Sequence, residues 1–247
     1  MTHVSVIRHV EEHPLCTNWT MNTATTPAII IGNGPSRKKY TEEQFKEWGV
    51  TYGCNTLRHT FSPDFLVASD PWHIQQIIEE GYTLKYNCIF KDWEPIPSGI
   101  HWSELSMWPS TYNTVTHGRA ESSESWFMWA NESDDRLGEH MTAHVVYVPK
   151  GSRIENIRSH ETAAVKGVRS QGPTGAFAMQ AALEKGHKHL IVIGFDALTG
   201  ELGSSSRQWG KIDEIGPDVM EEWERDYDSL LSFLPEITLE WRNGNGA

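Results

Sequence analysis

The chain has 247 residues, of which 38% are hydrophobic and 22% charged, a composition that suits a globular α/β domain and excludes a disordered chain. A formal net charge of -12 argues against a surface built to coat nucleic acid, while leaving room for a local basic mouth. No run approaches the ~18–20 apolar residues of a membrane span.

Residues 1–26 are polar and aperiodic, without a long apolar core behind a basic start. They predict an irregular arm and no signal peptide. Residues 27–247 then read as one domain. Pro27 to Ile31 is a continuous apolar run, the pattern of a strand buried on both faces. In TEEQFKEWG, Thr41 and Gln44 have capping-box spacing and Gly49 closes the helix. VTYGCN is a second strand. PDFLVASD is a third, ending at Asp70. PWHIQQIIEEG opens with Pro71 in a first helical turn and ends before Gly81. YNCIF is a fourth strand. Strand and helix alternate through 28–90, which predicts a parallel sheet with crossovers.

Residues 91–142 break the rhythm and predict an irregular insertion, of the kind that serves as a functional lid. Five of the eleven tryptophans lie there, between Trp93 and Trp129, for packing or as a platform on which a sugar or base stacks. AHVVYVP restores a strand at 143–149. GPTGAFAMQAALEKGH is a helix and HLIVIGFD a buried strand. PDVMEEWERDYDSLLSFLP is an amphipathic helix with its charges outward, and ITLEW a last strand. The fold class is therefore α/β, a mostly parallel sheet with helices on both faces and a Trp-rich insertion.

The cysteines, Cys16, Cys54 and Cys88, are widely spaced and form no CxxC pair. They predict free thiols, a cytoplasmic setting and no zinc site. His140 and His144 would share a helix face, but 143–148 reads as a strand and the glutamate of a zinc-protease motif is missing, so no metal site is expected.

Ligands of open parallel sheets sit beyond the carboxyl ends of the strands. Here those ends are Gly32-Asn33-Gly34-Pro35-Ser36, Cys54-Asn55, Ser69-Asp70 and Gly194-Phe195-Asp196. Glycines let backbone N–H groups approach an anion, and Arg37, Lys38 and Lys39 follow the first turn. The same turn also serves as a tight exit from a strand. Asp70 and Asp196 can accept from sugar hydroxyls, hold a metal or act as a base. Asp70 can equally cap the helix that starts at Pro71.

This set of motifs resembles glycosyltransferase family 42, the bacterial CMP-sialic-acid-dependent sialyltransferases, over residues 28–70 and 170–206. The family's GNGPS is matched by Gly32 to Ser36 and its Arg-Cys-Asn by Gly53-Cys54-Asn55. Its Thr-Ser-Gly helix start is matched by Pro173-Thr174-Gly175, its Ser-Gly-Ile-Asp strand end by Ile193 to Asp196, and its Gly-Ser-Ser-Tyr by Gly203 to Ser206. The resemblance implies a Rossmann-like, GT-A-variant-like fold and metal-independent transfer from a nucleotide-sugar donor. It places Asn33, Asn55, Thr174 and Gly175 against the donor, which would lie across the whole turn Gly32, Asn33, Gly34, Pro35 and Ser36, with Gly194 and Asp196 beside it. The chain departs from the family at Asp70, where the family has Asn, and at Leu198 and Ser206, where it has phosphate-binding tyrosines. The family's C-terminal histidine is also missing. Arg207 is the substitute expected for phosphate, and Asp70, Asp213 or Glu214 for the base. A lid from Gly203 to Gly216 would exclude water. The acceptor is a glycan, a small molecule or a modified DNA base. The compact size and insertion also resemble hypothetical proteins of tailed phages.

A weaker similarity is to 6-hydroxymethyl-dihydropterin diphosphokinases, through the GxGPS turn and Pro63 to Asp70. It implies diphosphate transfer from ATP with Mg²⁺ held by carboxylates such as Asp70. A third alternative is a nucleotide-binding protein that performs no chemistry.

Overall fold

A computed structural model describes residues 25–91, 93–95, 113–117, 123–130, 142–157, 174–195 and 238–242. Its main sheet contains β1 (Ala28–Ile31), β2 (Val50–Cys54), β3 (Phe65–Ala68), β4 (Asn87–Lys91), β9 (Ile154–Ile157), β10 (His189–Ile193) and β11 (Thr238–Trp241). The order of these seven strands is β11-β10-β1-β2-β3-β4-β9, and every neighbouring pair is parallel. Between them run α1 (Glu42–Trp48), α2 (Pro71–Glu79) and α3 (Thr174–Glu184).

The continuous apolar runs follow from cover on both faces. Ala28, Ile30, Tyr52, Val67, Ile89 and Val192 pack with Phe177 and the alanines of α3. The alternate residues Ile29, Ile31, Ile191 and Ile193 pack with Phe45 of α1, and Leu66, Ala68, Cys88 and Phe90 pack with Ile74 and Ile77 of α2. Since neighbouring strand residues point to opposite faces, α3 covers one face and α1 and α2 the other. Small residues let α3 lie close to the sheet, and Gly175 to Ala182 are buried without interruption.

The expected helix starts form as written. Thr41 Oγ1 accepts from the Gln44 amide, and Gln44 Oε1 accepts from the Thr41 amide at 2.8 Å. Helix α2 begins on Pro71, and Gly81, two residues past its end, takes a left-handed φ of 66°.

The 91–142 segment corrects the expectation of an irregular insertion. It contains β5 (Trp93–Pro95), β6 (Asn113–His117) and β7 (Ser123–Ala130). With β8 (Thr142–Pro149) they form a second sheet of four strands, ordered β5-β7-β8-β6. Strand β7 is antiparallel to both β5 and β8, while β6 and β8 are parallel. The strand foreseen at 143–149 thus exists but belongs to this sheet. Its Val146 and Val148 pack with Trp93, Tyr82 and α2. The edge of the main sheet beside β4 is formed by β9, whose short IENI was not foreseen as a strand. The amphipathic helix foreseen at 217–235, the 203–216 lid and the arm before residue 25 lie outside the described residues.

Candidate functional site

Because the main sheet is parallel, its strands all end on one edge. The sequence runs outward from β1 in both directions, with β2, β3, β4 and β9 on one side and β10 and β11 on the other. Such a reversal opens a crevice between the flanking loops. Here the two loops are joined. The Gly32 amide donates to Ile193 O and the Gly34 amide to Gly194 O, each at 2.8 Å. The Gly194 amide donates to Ser36 Oγ at 3.1 Å, and Gly194 has a φ of 80°. A Cβ on Gly32 would lie 2.4 Å from Gly194 O, which is why this crossing needs glycine. Of the two uses of the turn, the structure displays the tight exit: the Gly32 and Gly34 amides and the Ser36 hydroxyl hold the β10 loop. Pro35 opens a short 3-10 helix, Pro35–Lys39, that leads away from it.

The polar groups converge one strand over, around Asn55. Asn33 Nδ2 donates to Cys54 O at 3.0 Å, tying the β1 turn to the end of β2. Asn55 adopts a left-handed φ of 49°, a conformation that Asn tolerates better than other side-chain-bearing residues. Its Nδ2 donates to Thr174 Oγ1 at 3.2 Å, and Thr174 Oγ1 shares a 2.7 Å hydrogen bond with Ser69 Oγ. Thus the ends of β2 and β3 meet the first residue of α3, and the β1 turn is tied to them through Cys54 O. The first-turn amides of α3, beginning at Thr174 and Gly175, lie at this edge, where a helix favours negative charge. Asn55 Oδ1 is buried here and has no hydrogen-bond partner. A buried acceptor left open costs about 1–3 kcal/mol, so it calls for a donor from a ligand or water.

Behind Asn55 stands Arg58, whose side chain is only 1% exposed. Its Nη1 donates to Asn55 O at 3.0 Å, and its Nε and Nη2 donate to the two carboxylate oxygens of Glu80 at 2.7 and 2.9 Å. The Arg58 hydrogen bond is the first cause of the lowered Glu80 pKa. This brace fixes the backbone that presents the Asn55 amide. Neither Arg58 nor Glu80 lies in a motif, and only the fold brings Ser69 to Thr174.

β3 stops at Ala68, two residues before the expected end, and Asp70 is the N-cap of α2, as its helix-capping reading requires. Its Oδ1 accepts from the Trp72 amide at 2.8 Å. Two neighbours were not foreseen. Trp72 is 59% exposed on the same edge, and His73 is buried with its Nδ1 unpartnered. Burial pulls the His73 pKa down, with Asp70 acting in the opposite direction. Cys54 is a buried free thiol whose pKa burial raises to about 12, which makes it inert as a nucleophile.

Asp196, Arg207, Asp213 and Glu214 lie outside the described residues, as does His140. His144 lies in β8, a strand. Among the described residues no group of three His, Cys, Asp or Glu side chains gathers into a cation site, and no helix is long and apolar enough to cross a membrane. An open hollow of about 220 Å³ between β9 and the end of α3 is lined by Glu155, Asn156, Glu184 and Lys185 among others, and by none of Asn33, Asn55, Ser69 and Thr174. Compared with protein-family models, curated proteins and solved structures, the chain matches none of them.

Proposed function

We propose that the protein is a nucleotide-sugar-dependent glycosyltransferase on a Rossmann-like fold, with its donor site at the strand ends around Asn33, Asn55, Ser69 and Thr174. The observation that carries this reading is the buried, unpartnered Asn55 Oδ1 beside the first turn of α3. A nucleotide sugar supplies both complements: N–H or O–H donors for the amide oxygen, and phosphate charge for the helix end.

In the transfer, the acceptor oxygen bonds to the anomeric carbon while the bond to the donor phosphate breaks. The acceptor proton passes to a base, and the nucleotide leaves as an anion that needs cationic or N–H stabilisation. Asp213, Glu214 and Asp70 are the candidate bases. Since Asp70 Oδ1 caps α2, a base role there falls to its other oxygen. Arg207 is the candidate for the leaving phosphate.

Calorimetry with CMP-, UDP- and GDP-sugars in the presence of a chelator tests the reading. One of them should bind, and Asn55→Gly should bind it about ten- to hundredfold more weakly. Glycine keeps the left-handed backbone and removes only the amide. A folded wild-type protein that binds none of them overturns the proposal. Binding of ATP and a pterin that disappears on chelation would point to the diphosphotransferase instead.

A further inference from the structure

Arg37 is the first cation after the β1 turn, in the 3-10 helix Pro35–Lys39, on the edge where the strand order reverses. Its guanidinium is half-buried, and its Nε is buried with no hydrogen-bond partner. No acidic residue stands in the first turn of that short helix. Arg58 shows how this protein treats a buried guanidinium when the fold itself must satisfy it: three hydrogen bonds, two of them to one bidentate carboxylate. The other described ion pairs are formed by Lys46, Lys185, His189 and Arg242, and none involves Arg37. Burial lowers the Arg37 pKa, the direction expected of a desolvated cation without a counterion.

A partly desolvated guanidinium costs stability until an anion meets it. Its planar fork matches two oxygens of a carboxylate or phosphoryl group at once, and Lys38, exposed next to it, adds positive field on a chain of net charge -12. We infer that Arg37 is an oxyanion receptor at the carboxyl edge of the sheet, and that its ligand is the phosphoryl group of a nucleotide. The receptor follows from the unpaired guanidinium; that its oxyanion belongs to a nucleotide sugar rests on the function proposed above. The role of holding phosphate would then fall to a residue next to the GNGPS turn, through its side chain, where the turn's own glycine amides are engaged with β10.

The test uses the full chain, with inorganic pyrophosphate as the bare oxyanion and UDP and CMP as nucleotides, followed by calorimetry and thermal unfolding. Wild-type protein should bind pyrophosphate and be stabilised by it. Arg37→Met should unfold at the same temperature as wild type or higher, because it removes an uncompensated charge, yet bind pyrophosphate about ten- to hundredfold more weakly. Arg37→Lys should fall between them, keeping charge without the fork. Pyrophosphate binding that is absent from the wild type, or equal in all three proteins, overturns the receptor. Arg37-dependent pyrophosphate binding without nucleotide binding keeps the receptor and overturns its nucleotide ligand and the donor site. Nucleotide-sugar binding indifferent to Arg37 keeps the donor site and overturns the receptor.

Discussion

Gly32 and Gly194 lie backbone against backbone: a Cβ on Gly32 would stand 2.4 Å from Gly194 O, and one on Gly194 would stand 2.7 Å from Gly32 O. Neither contact can be relieved by turning a flexible side chain. Gly32→Ala should therefore destabilise the protein by at least about 1–3 kcal/mol, as over-packed cores do. Denaturant unfolding should show a lower midpoint with an unchanged slope. A midpoint equal to wild type would mean that the two strands are not this close.

Asp70 should behave as a helix cap in stability measurements. Asp70→Ala removes the acceptor for the Trp72 amide and should cost about 0.5–2 kcal/mol, whereas Asp70→Asn should stay within a few tenths. Equal losses in both variants would show that the carboxylate charge, and not the cap, is what matters. Because Asn preserves the cap, it also isolates the chemistry. A hundredfold or larger loss of transfer rate assigns the base to Asp70, about the least that general-base catalysis contributes. Unchanged turnover passes that role to Asp213 or Glu214.

The Arg58–Glu80 pair should respond asymmetrically. Arg58 is 1% exposed in its side chain and Glu80 43%, so removing either partner leaves a very different remnant. Glu80→Ala strands a buried cation and should cost about 3 kcal/mol. Arg58→Met leaves a carboxylate that water can reach, and should cost clearly less. The double variant should recover part of the Glu80→Ala loss. If Arg58→Met proves the worse single change, the dominant contribution is its hydrogen bond to Asn55 O.

Acidification from about pH 7 to 5 should destabilise the protein through its buried histidines. Desolvation lowers the pKa of both His73 and His187 below the ordinary 6.5, and His187 also contacts Thr26 O through Nδ1. With the folded pKa depressed, the unfolded chain binds more protons in this window. Stability is therefore complete above the unfolded pKa and falls as pH drops toward the folded ones. Urea midpoints across that range should decline, and His73→Gln should flatten part of the decline. A midpoint that rises on acidification would contradict the burial of these rings.

Most of the main sheet was readable in advance because its strands are buried on both faces. Ala28 to Ile31 and His189 to Ile193 carry unbroken apolar runs, and Thr41 with Gln44 announces a helix by capping chemistry alone. Apart from β8, foreseen as a strand at 143–149, the second sheet was not readable in advance. Asn113–His117 holds a single apolar residue, Val115, and Pro95 and Ser123 look like loop residues until a partner strand supplies the ladder. IENI was equally silent, since an edge strand needs few apolar residues. At the site, glycine and asparagine types marked Gly32, Asn33 and Asn55 correctly as strand-end residues. Their hydrogen bonds were beyond the reach of the sequence: Asn55 meets Thr174 across 119 positions, and the Gly34 amide turns toward Gly194 instead of outward.

The return of the chain at β9 has a consequence for how the molecule assembles. The whole second sheet is built between β4 and β9, yet those strands are neighbours, with Cys88 paired to Ile154 and Lys91 to Ile157. The Trp93 amide, at the start of the excursion, donates to Asn156 Oδ1 at 2.6 Å, at its return. The excursion is therefore a cassette whose entrance and exit are stapled side by side. A flexible segment added within it would change the closure entropy only logarithmically, by about 0.6 kcal/mol per doubling of length. The cassette can lengthen or diverge while Asn33, Asn55 and Ser69, held by strands on the other side of that staple, keep their places.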